Sequence, residues 1–555
     1  MLKPKIVRLC IAVLVVAGSL VAAWAGYFSL KTAQHLKTGA FTSAVTTAKY
    51  AKPALQLLSI VSLGAIPDLE IAKISTILLA DSQEVLQLAQ ISEQLETGTI
   101  ALKPFATLVD RHQTKLTHLA TLLPKSMLVQ KKIGEARTTT LVELLQTAPD
   151  ISRVLTQLAT DTHKYIIVLQ NSDELRATGG FMGSYALIEL SDGTMTTLVI
   201  EDIYDADGQF KGFVPAPTGV KEYLSSANGM RLPDANWNPD FPSSAQQILP
   251  FFALGSKQNV DGVIAINDQV ISSVLELIGP IWLPDYQTSV TAENLTTVLR
   301  AERNTFFAGS IQKKHVLSQF KSQLLSQLAG AQFDYFETIT LFKRQIQQKN
   351  ILFFTNSPDL QPLLTKYHLE GKLFDSSASA KLAFVESNVG INKANKEVNR
   401  TVKLETTDRS LIATITFTNK NKPPLKTSLQ EFVTPDYIKT ASAAANHLGY
   451  VNYQRVIFPS SWTISNITVG KTAVQKWDQE TYVYNQDSLS QIGFIVPVRE
   501  ESTELVQIEF ALPKDEQLSE IELYKQPGIV PPEYTVVTKT KNETFLLESN
   551  RVTML

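Results

Sequence analysis

A chain of 555 residues is too long for one hydrophobic core, and at the usual domain size it divides into roughly three or four units. Its 44% hydrophobic and 19% charged content is that of a globular protein and excludes a disordered one. The 51 basic and 53 acidic residues nearly cancel, and the net charge of -2 excludes a general attraction for nucleic acid.

The run from Leu9 to Leu30, LCIAVLVVAGSLVAAWAGYFSL, carries no charge and is long enough to cross a hydrocarbon core of roughly 30 Å as one helix. Lys3, Lys5 and Arg8 precede it, which favours a cytoplasmic N-terminus and a body outside the cell membrane. The alternative is a signal peptide cut at Ala23-Trp24-Ala25, which exports the same body without the anchor. Because the apolar run continues through Tyr27, Phe28 and Leu30, a retained single span over residues 1–30 is the preferred reading. The single cysteine, Cys10, falls inside this run, so the exported body has no disulfide to brace it.

Residues 31–161 read as a helical stalk or bundle. Leu78, Val85, Leu88, Ile91 and Leu95 recur at three- to four-residue steps, and GAIPD and LLPKS break the segment into hairpin-like helices. No sustained heptad seam is present, and the expected role is that of a spacer.

Over residues 162–376 strands mix with helices, which predicts an α/β sandwich. YIIVLQ is a buried strand, SYALIEL and TMTTLVI are joined by the hairpin turn SDG, and VDGVIAIN is a further strand. DQVISSVLELIG reads as a helix closed by Gly279 and Pro280, and Thr291 with Asn294 three residues on reads as the start of another. Over residues 380–555 short alternating strands such as SLIATITFTN and ELVQIEFAL predict a β-sandwich, with Val506, Ile508, Phe510 and Leu512 on one face.

No C-x-x-C, H-E-x-x-H or G-x-x-x-x-G-K-[ST] is present, and the seven histidines lack metal-ligand spacing, which excludes a zinc hydrolase or P-loop enzyme. In PDANWNPDFP, Asp234, Asn236, Asn238 and Asp240 alternate like the start of a calcium loop. Pro239 takes the place of the turn glycine and Ala245 that of the closing Glu, so an Asx-rich loop bonded to its own backbone is expected. EDIYDAD offers Glu201, Asp202, Asp205 and Asp207 at a strand end, where Asp202 and Asp205 could hold Mg²⁺. Arg300 and Arg303 lie three apart in LRAERN, with Lys313 and Lys314 following. With Arg176 of QNSDELRATGG they have the paired donors of a pyrophosphate clamp.

Together, LQNSDELRATGGFMGSYALIEL, LPDANWNPDFPSSA, VDGVIAINDQVISSVLELIGPI, VESNVGINKANKEVNR and YKQPG resemble a bacterial family of uncharacterised proteins, domain of unknown function 4012. More distantly, the order of segments from Tyr165 to Leu328 is similar to the catalytic domain of the LytR-CpsA-Psr family. Those enzymes move a glycopolymer from a polyprenyl-pyrophosphate lipid onto peptidoglycan with Mg²⁺. That resemblance implies Asp173, Arg176, Asp202 and Asp205 as catalytic residues. It also implies Arg176, Arg300, Arg303 and Lys314 as phosphate ligands, with Asp202 and Asp205 on the metal. One departure stands out: the family's Pro-Arg-Asp after the third strand is replaced by IEDIYDAD, which keeps the acid and lacks the arginine. A phosphoryl-transfer site depends on positive charge around the phosphates. The expectation is therefore an anchored extracytoplasmic envelope protein, a noncatalytic scaffold binding a polymer or protein through the β-sandwich, with the Mg²⁺-dependent transferase as the alternative.

Overall fold

The computed structural model describes residues 22, 24, 25, 27–32, 34, 41–61, 65–81, 102–225, 229–256, 259–295, 298, 299, 311–330, 335–407, 409–423, 449–514 and 518–555. The chain is a mixed α/β multidomain protein that divides into two compact units. The first comprises Met1–His163, Glu189–Leu198 and Leu324–Thr340, and the second Lys164–Ile188, Val199–Gln323 and Leu341–Leu555.

The first unit is mainly helical. The helix Phe41–Val61 pairs with Pro67–Asp81, whose start falls at the GAIPD break because proline needs no amide donor in a first turn. The helix Lys103–Leu122 ends at the LLPKS break, where Leu123–Lys125 form one 3-10 turn before Met127–Ile133. Glu135–Gln146 and Ala148–Leu158 complete the series. Leu78 falls in the second helix, whereas Val85, Leu88, Ile91 and Leu95 lie outside the described residues. Most of the Leu9–Leu30 run also lies outside them, and among the described residues no helix is long and apolar enough to cross a membrane.

A five-stranded sheet has the order β3-β2-β1-β4-β7, from β1 (Thr162–Asn171), β2 (Phe181–Ser191), β3 (Thr194–Asp202), β4 (Gly262–Asn267) and β7 (Ile351–Thr355). Between β4 and β7, β5 (Ile281–Leu283) and β6 (Thr288–Val290) form a small hairpin. β1 and β4 run parallel, Ile166 opposite Val263 and Val168 opposite Ala265, and all four are buried. β2 turns into β3 at Asp192 (φ 50°) and Gly193 (φ 74°), the left-handed pair that a tight hairpin requires. The helix Asp268–Ile278 follows β4 and stops at Gly279 (φ 85°), whose amide donates to Leu275 O at 2.9 Å. Thr291 and Asn294 exchange backbone-to-side-chain hydrogen bonds of 2.7 and 3.2 Å, a reciprocal cap.

The C-terminal strands form two sheets. The seven-stranded one, β13-β12-β16-β10-β9-β18-β19, contains β9 (Val398–Thr406), β10 (Ser410–Asn419), β12 (Thr463–Val469), β13 (Thr472–Ala473), β16 (Ser502–Ala511), β18 (Glu533–Val537) and β19 (Asn542–Leu546). The six-stranded one, β14-β15-β11-β8-β17-β20, contains β8 (Ala380–Val385), β11 (Tyr450–Pro459), β14 (Asp478–Tyr484), β15 (Asp487–Val498), β17 (Glu520–Leu523) and β20 (Arg551–Met554). Alternation decides which side chains go in. Leu411, Ala413 and Ile415 of β10 stand opposite Phe510, Ile508 and Val506 of β16, and all six are buried in one cluster with Leu382 of β8 and Val456 of β11. Leu512 completes the buried face.

Candidate functional site

The loop between β1 and β2 holds Asp173 and Arg176. Arg176 is 1% exposed. Its Nε donates to Asp234 Oδ1 at 3.1 Å, Nη2 to Glu174 Oε1 at 3.3 Å, and Nη1 to Leu175 O at 3.1 Å and Asn388 O at 2.8 Å. The Phe181 ring lies 5.7 Å from the guanidinium carbon. Arginine has five donors in a fixed fork, and here four of its hydrogen bonds go to protein oxygens, two of them carboxylate oxygens.

Hydrogen-bond partners for the rest of the loop come from far along the chain. Leu175 N donates to Asn395 Oδ1 at 3.2 Å, Asn388 N to Leu175 O at 3.0 Å and Asn395 N to Asp173 O at 3.1 Å. Gln526 Nε2 bridges Arg176 O at 3.2 Å and Glu386 O at 2.8 Å, while its Oε1 accepts from Glu386 N at 2.8 Å. Glu386 itself pairs with Arg400 at 2.6 Å and accepts from Tyr450 Oη at 2.7 Å. Behind the loop, Asn236 Nδ2 donates to Gln170 Oε1 at 3.1 Å and to Gly180 O at 2.8 Å.

The stretches QNSDELRATGG, PDANWNPDFP, VESNVGINKANKEVNR and YKQPG thus meet in one buried polar seam. Two glycines let it close. A Cβ on Gly180 (φ 152°) would stand 2.2 Å from Asn171 O, and one on Gly528 (φ 77°) 2.0 Å from Gly179 O.

PDANWNPDFP behaves as the expected Asx-rich loop. Asn238 Oδ1 accepts from Asp240 N at 2.9 Å, and Asp240 caps the helix Phe241–Phe251 by accepting from Ser243 N and Oγ at 3.2 and 2.7 Å.

At the end of β3, Asp202 is buried and accepts from Tyr204 N at 3.0 Å, capping the helix Ile203–Gln209. Glu201 accepts from Tyr185 Oη, whose proton is held far above the phenol's ordinary range by burial, by that bond and by Asp205. Asp207 pairs with Arg231, whose Nε lies 2.8 Å away. Among the described residues no three His, Cys, Asp or Glu side chains form a metal-holding group. Mg²⁺ keeps several waters and takes one or two carboxylates, a demand that a buried helix cap such as Asp202 meets poorly.

A cleft of about 120 Å³ opens over β14 and β15, lined by Thr218, Tyr453, Asp478, Gln479, Glu480 and Gln491 among others. Tyr453 Oη donates to Asp478 Oδ2 at 3.0 Å, and its ring stacks on Trp237 with centroids 5.6 Å apart. Gly493 leaves room for that phenol, since a Cβ there would stand 2.0 Å from Tyr453 Oη. Burial and the neighbouring Glu222 raise the Asp478 carboxyl, against the bond from Tyr453. Arg455 is buried behind it, 4.4 Å from the Trp237 ring, donating to Trp237 O at 2.8 Å and Ser387 Oγ at 3.2 Å.

The structure therefore brings Asp173 and Arg176 onto one loop and sets Asp202 and Asp205 at the end of β3. Arg300 and Arg303 lie outside the described residues, as does the Lys314 side chain, whose backbone is in the helix Ile311–Gly330. Sequence reasoning missed Asn388 and Gln526 as partners of Arg176, and Asn395 and the Glu386–Arg400 pair as members of the same seam. Their signal was the density of Asn, Gln and charge within otherwise apolar strand ends.

No curated protein matches this chain. Among solved structures, the crystal structure of protein gbs0355 from Streptococcus agalactiae is similar at 13% identity, over 37% of this chain and 72% of that one, with a TM-score of 0.23. A family model described as a protein of unknown function matches residues 160–303, so that the loop of Arg176 and the turn of Asp234 both fall in a domain of that family, DUF4012.

Proposed function

We propose that this chain is a noncatalytic cell-envelope scaffold, anchored in the membrane by its N-terminal apolar run, that binds a polymer or a protein through its C-terminal β-sheets. The observation that carries this reading is Arg176. An arginine meant for a pyrophosphate must offer its fork to the ligand, and this one is 1% exposed and held between Asp234, Glu174 and the Asn388 carbonyl. Two carboxylates beside it also repel a phosphate from the place the transferase reading needs it.

Binding is better supported by the cleft at Tyr453 and Asp478, where hydroxyl, amide and carboxylate groups converge over packed aromatic rings. The test is direct. The purified chain is incubated with a polyprenyl-pyrophosphate-linked oligosaccharide and peptidoglycan, with and without Mg²⁺. Retention of the oligosaccharide or peptidoglycan by the chain, with no release of the lipid monophosphate that phosphoryl transfer would leave, is the expected result. Mg²⁺-dependent transfer that is lost in Arg176→Ala would overturn the proposal.

A further inference from the structure

The helical unit carries a second feature that the buried seam does not use. Five large apolar side chains at one end of it face solvent: Leu57 (50%), Ile60 (70%), Ile66 (49%), Met127 (83%) and Leu128 (59%). Single exposed apolar residues need no explanation, but these flank two helical breaks, one between Phe41–Val61 and Pro67–Asp81 and one between Lys103–Leu122 and Met127–Ile133, that the structure ties together. Ser126 Oγ hydrogen-bonds Asp68 Oδ1, next to Ile66, and also caps the helix Met127–Ile133 by accepting from Val129 N at 3.0 Å. Lys73 Nζ reaches Ser59 Oγ at 2.8 Å, one residue from Ile60.

The acids at the patch are engaged within the unit, Asp68 with Ser126 and Glu70 with Lys73, and the exposed charge beside it is basic. Lys125, Lys131 and Lys132 are all exposed beside Met127 and Leu128, and no charged residue occurs between Lys52 and Asp68. Apolar side chains with exposed lysines beside them are the composition of a surface that lies in the headgroup region of a bilayer.

The direction of the first helical segment agrees. Thr32 hydrogen-bonds Thr47 at 2.9 Å, the Phe28 and Tyr50 rings are 5.3 Å apart, and Ala25 clusters with Ala51, Ala54 and Leu55. That segment therefore runs antiparallel to Phe41–Val61, and the apolar run enters it from the end where Ile60 lies, its residues from Ala25 onward belonging to the helical unit and only those before it to the span.

We infer that this end of the helical unit docks on a lipid surface, Leu57, Ile60, Ile66, Met127 and Leu128 entering the acyl boundary while Lys125, Lys131 and Lys132 meet lipid phosphates. The inference rests on the anchor reading for its direction, and its test separates the two. The full chain carrying Cys10→Ser and a single new cysteine, Ile60→Cys, Met127→Cys or Val483→Cys, is labelled with an environment-sensitive fluorophore. It is then reconstituted in phosphatidylcholine–phosphatidylglycerol vesicles.

Chains that float with the vesicles should show blue-shifted emission, quenched by a shallow nitroxide lipid, at positions 60 and 127. Position 483, 74% exposed in β14, should show neither. Changing Lys125, Lys131 and Lys132 to Gln should lower the quenching in these vesicles without lowering flotation, as should added salt. Flotation with aqueous emission at 60 and 127 overturns the docking and leaves the anchor standing, and failure to float overturns both. A blue shift without nitroxide quenching also overturns it, because a second copy of the chain then covers the patch.

Discussion

Replacing Arg176 by Met removes the positive charge and the fork while keeping much of the aliphatic stem. Asp234 and Glu174 are then left facing each other's field, with side chains only 14% and 8% exposed. Removing one partner of a buried ion pair costs about 3–5 kcal/mol, and a carbonyl stripped of its donor about 1–3 kcal/mol more if water does not replace it. The lower ends of the two ranges together give about 4 kcal/mol. Against a total of about 5–15 kcal/mol this is a large fraction. Urea unfolding of the purified chain, followed by tryptophan fluorescence, should move to a lower midpoint with an unchanged slope. Arg176→Lys keeps the charge but loses the fork, and should retain only part of the stability. Met at 176 combined with Glu174→Gln and Asp234→Asn should recover some of the loss, since no uncompensated charge remains. If Arg176→Met costs less than about 1 kcal/mol, the guanidinium is not committed to the fold and the argument fails.

Further outcomes follow from the same geometry. Gly180→Ala places a Cβ 2.2 Å from a backbone oxygen at φ 152°, and should cost at least about 2 kcal/mol by the same unfolding assay. Gly493→Ala displaces the Tyr453 phenol from Asp478, and a crystal structure or NMR spectrum of that variant should show the ring moved and the hydrogen bond lost. Lys349 is buried, and burial lowers its ammonium to about 8 against the pull of Asp375, Glu522 and Asp240. From about pH 8 up to the ordinary lysine range near 10.4 the unfolded chain holds more protons at this site than the folded one, so its contribution to stability rises with pH there and is flat below. Unfolding free energies measured across that window should lose part of their slope in Lys349→Met, and an unaltered slope would remove the site from the account.

Local chemistry made much of the fold readable. Val506, Ile508 and Phe510 alternate because a strand puts every second side chain on one face, and the SDG turn and the Gly279 stop follow from left-handed backbone. The candidate site was less readable, for a physical reason. Glu174 is two residues from Arg176, but Asp234 lies 58 residues away and Asn388 212, so the neighbouring sequence does not announce its burial. A charge beside two glycines reads equally as an open phosphate loop and as a closed structural one. Asp202 is similar: the acid that could sit on a metal also has the position of a helix cap, and only the Tyr204 amide distinguishes the roles.

The seam around Arg176 also bears on what counts as one piece of this protein. The family match ends at residue 303, yet the groups that satisfy its loop, Asn388, Asn395 and Gln526, come from beyond it. A chain cut at that limit would carry a buried arginine, its two carboxylates and several peptide groups whose counterparts had been left on the discarded part. The recognisable unit of inheritance and the smallest unit that closes its own hydrogen bonds differ here, and the second extends at least to the YKQPG segment.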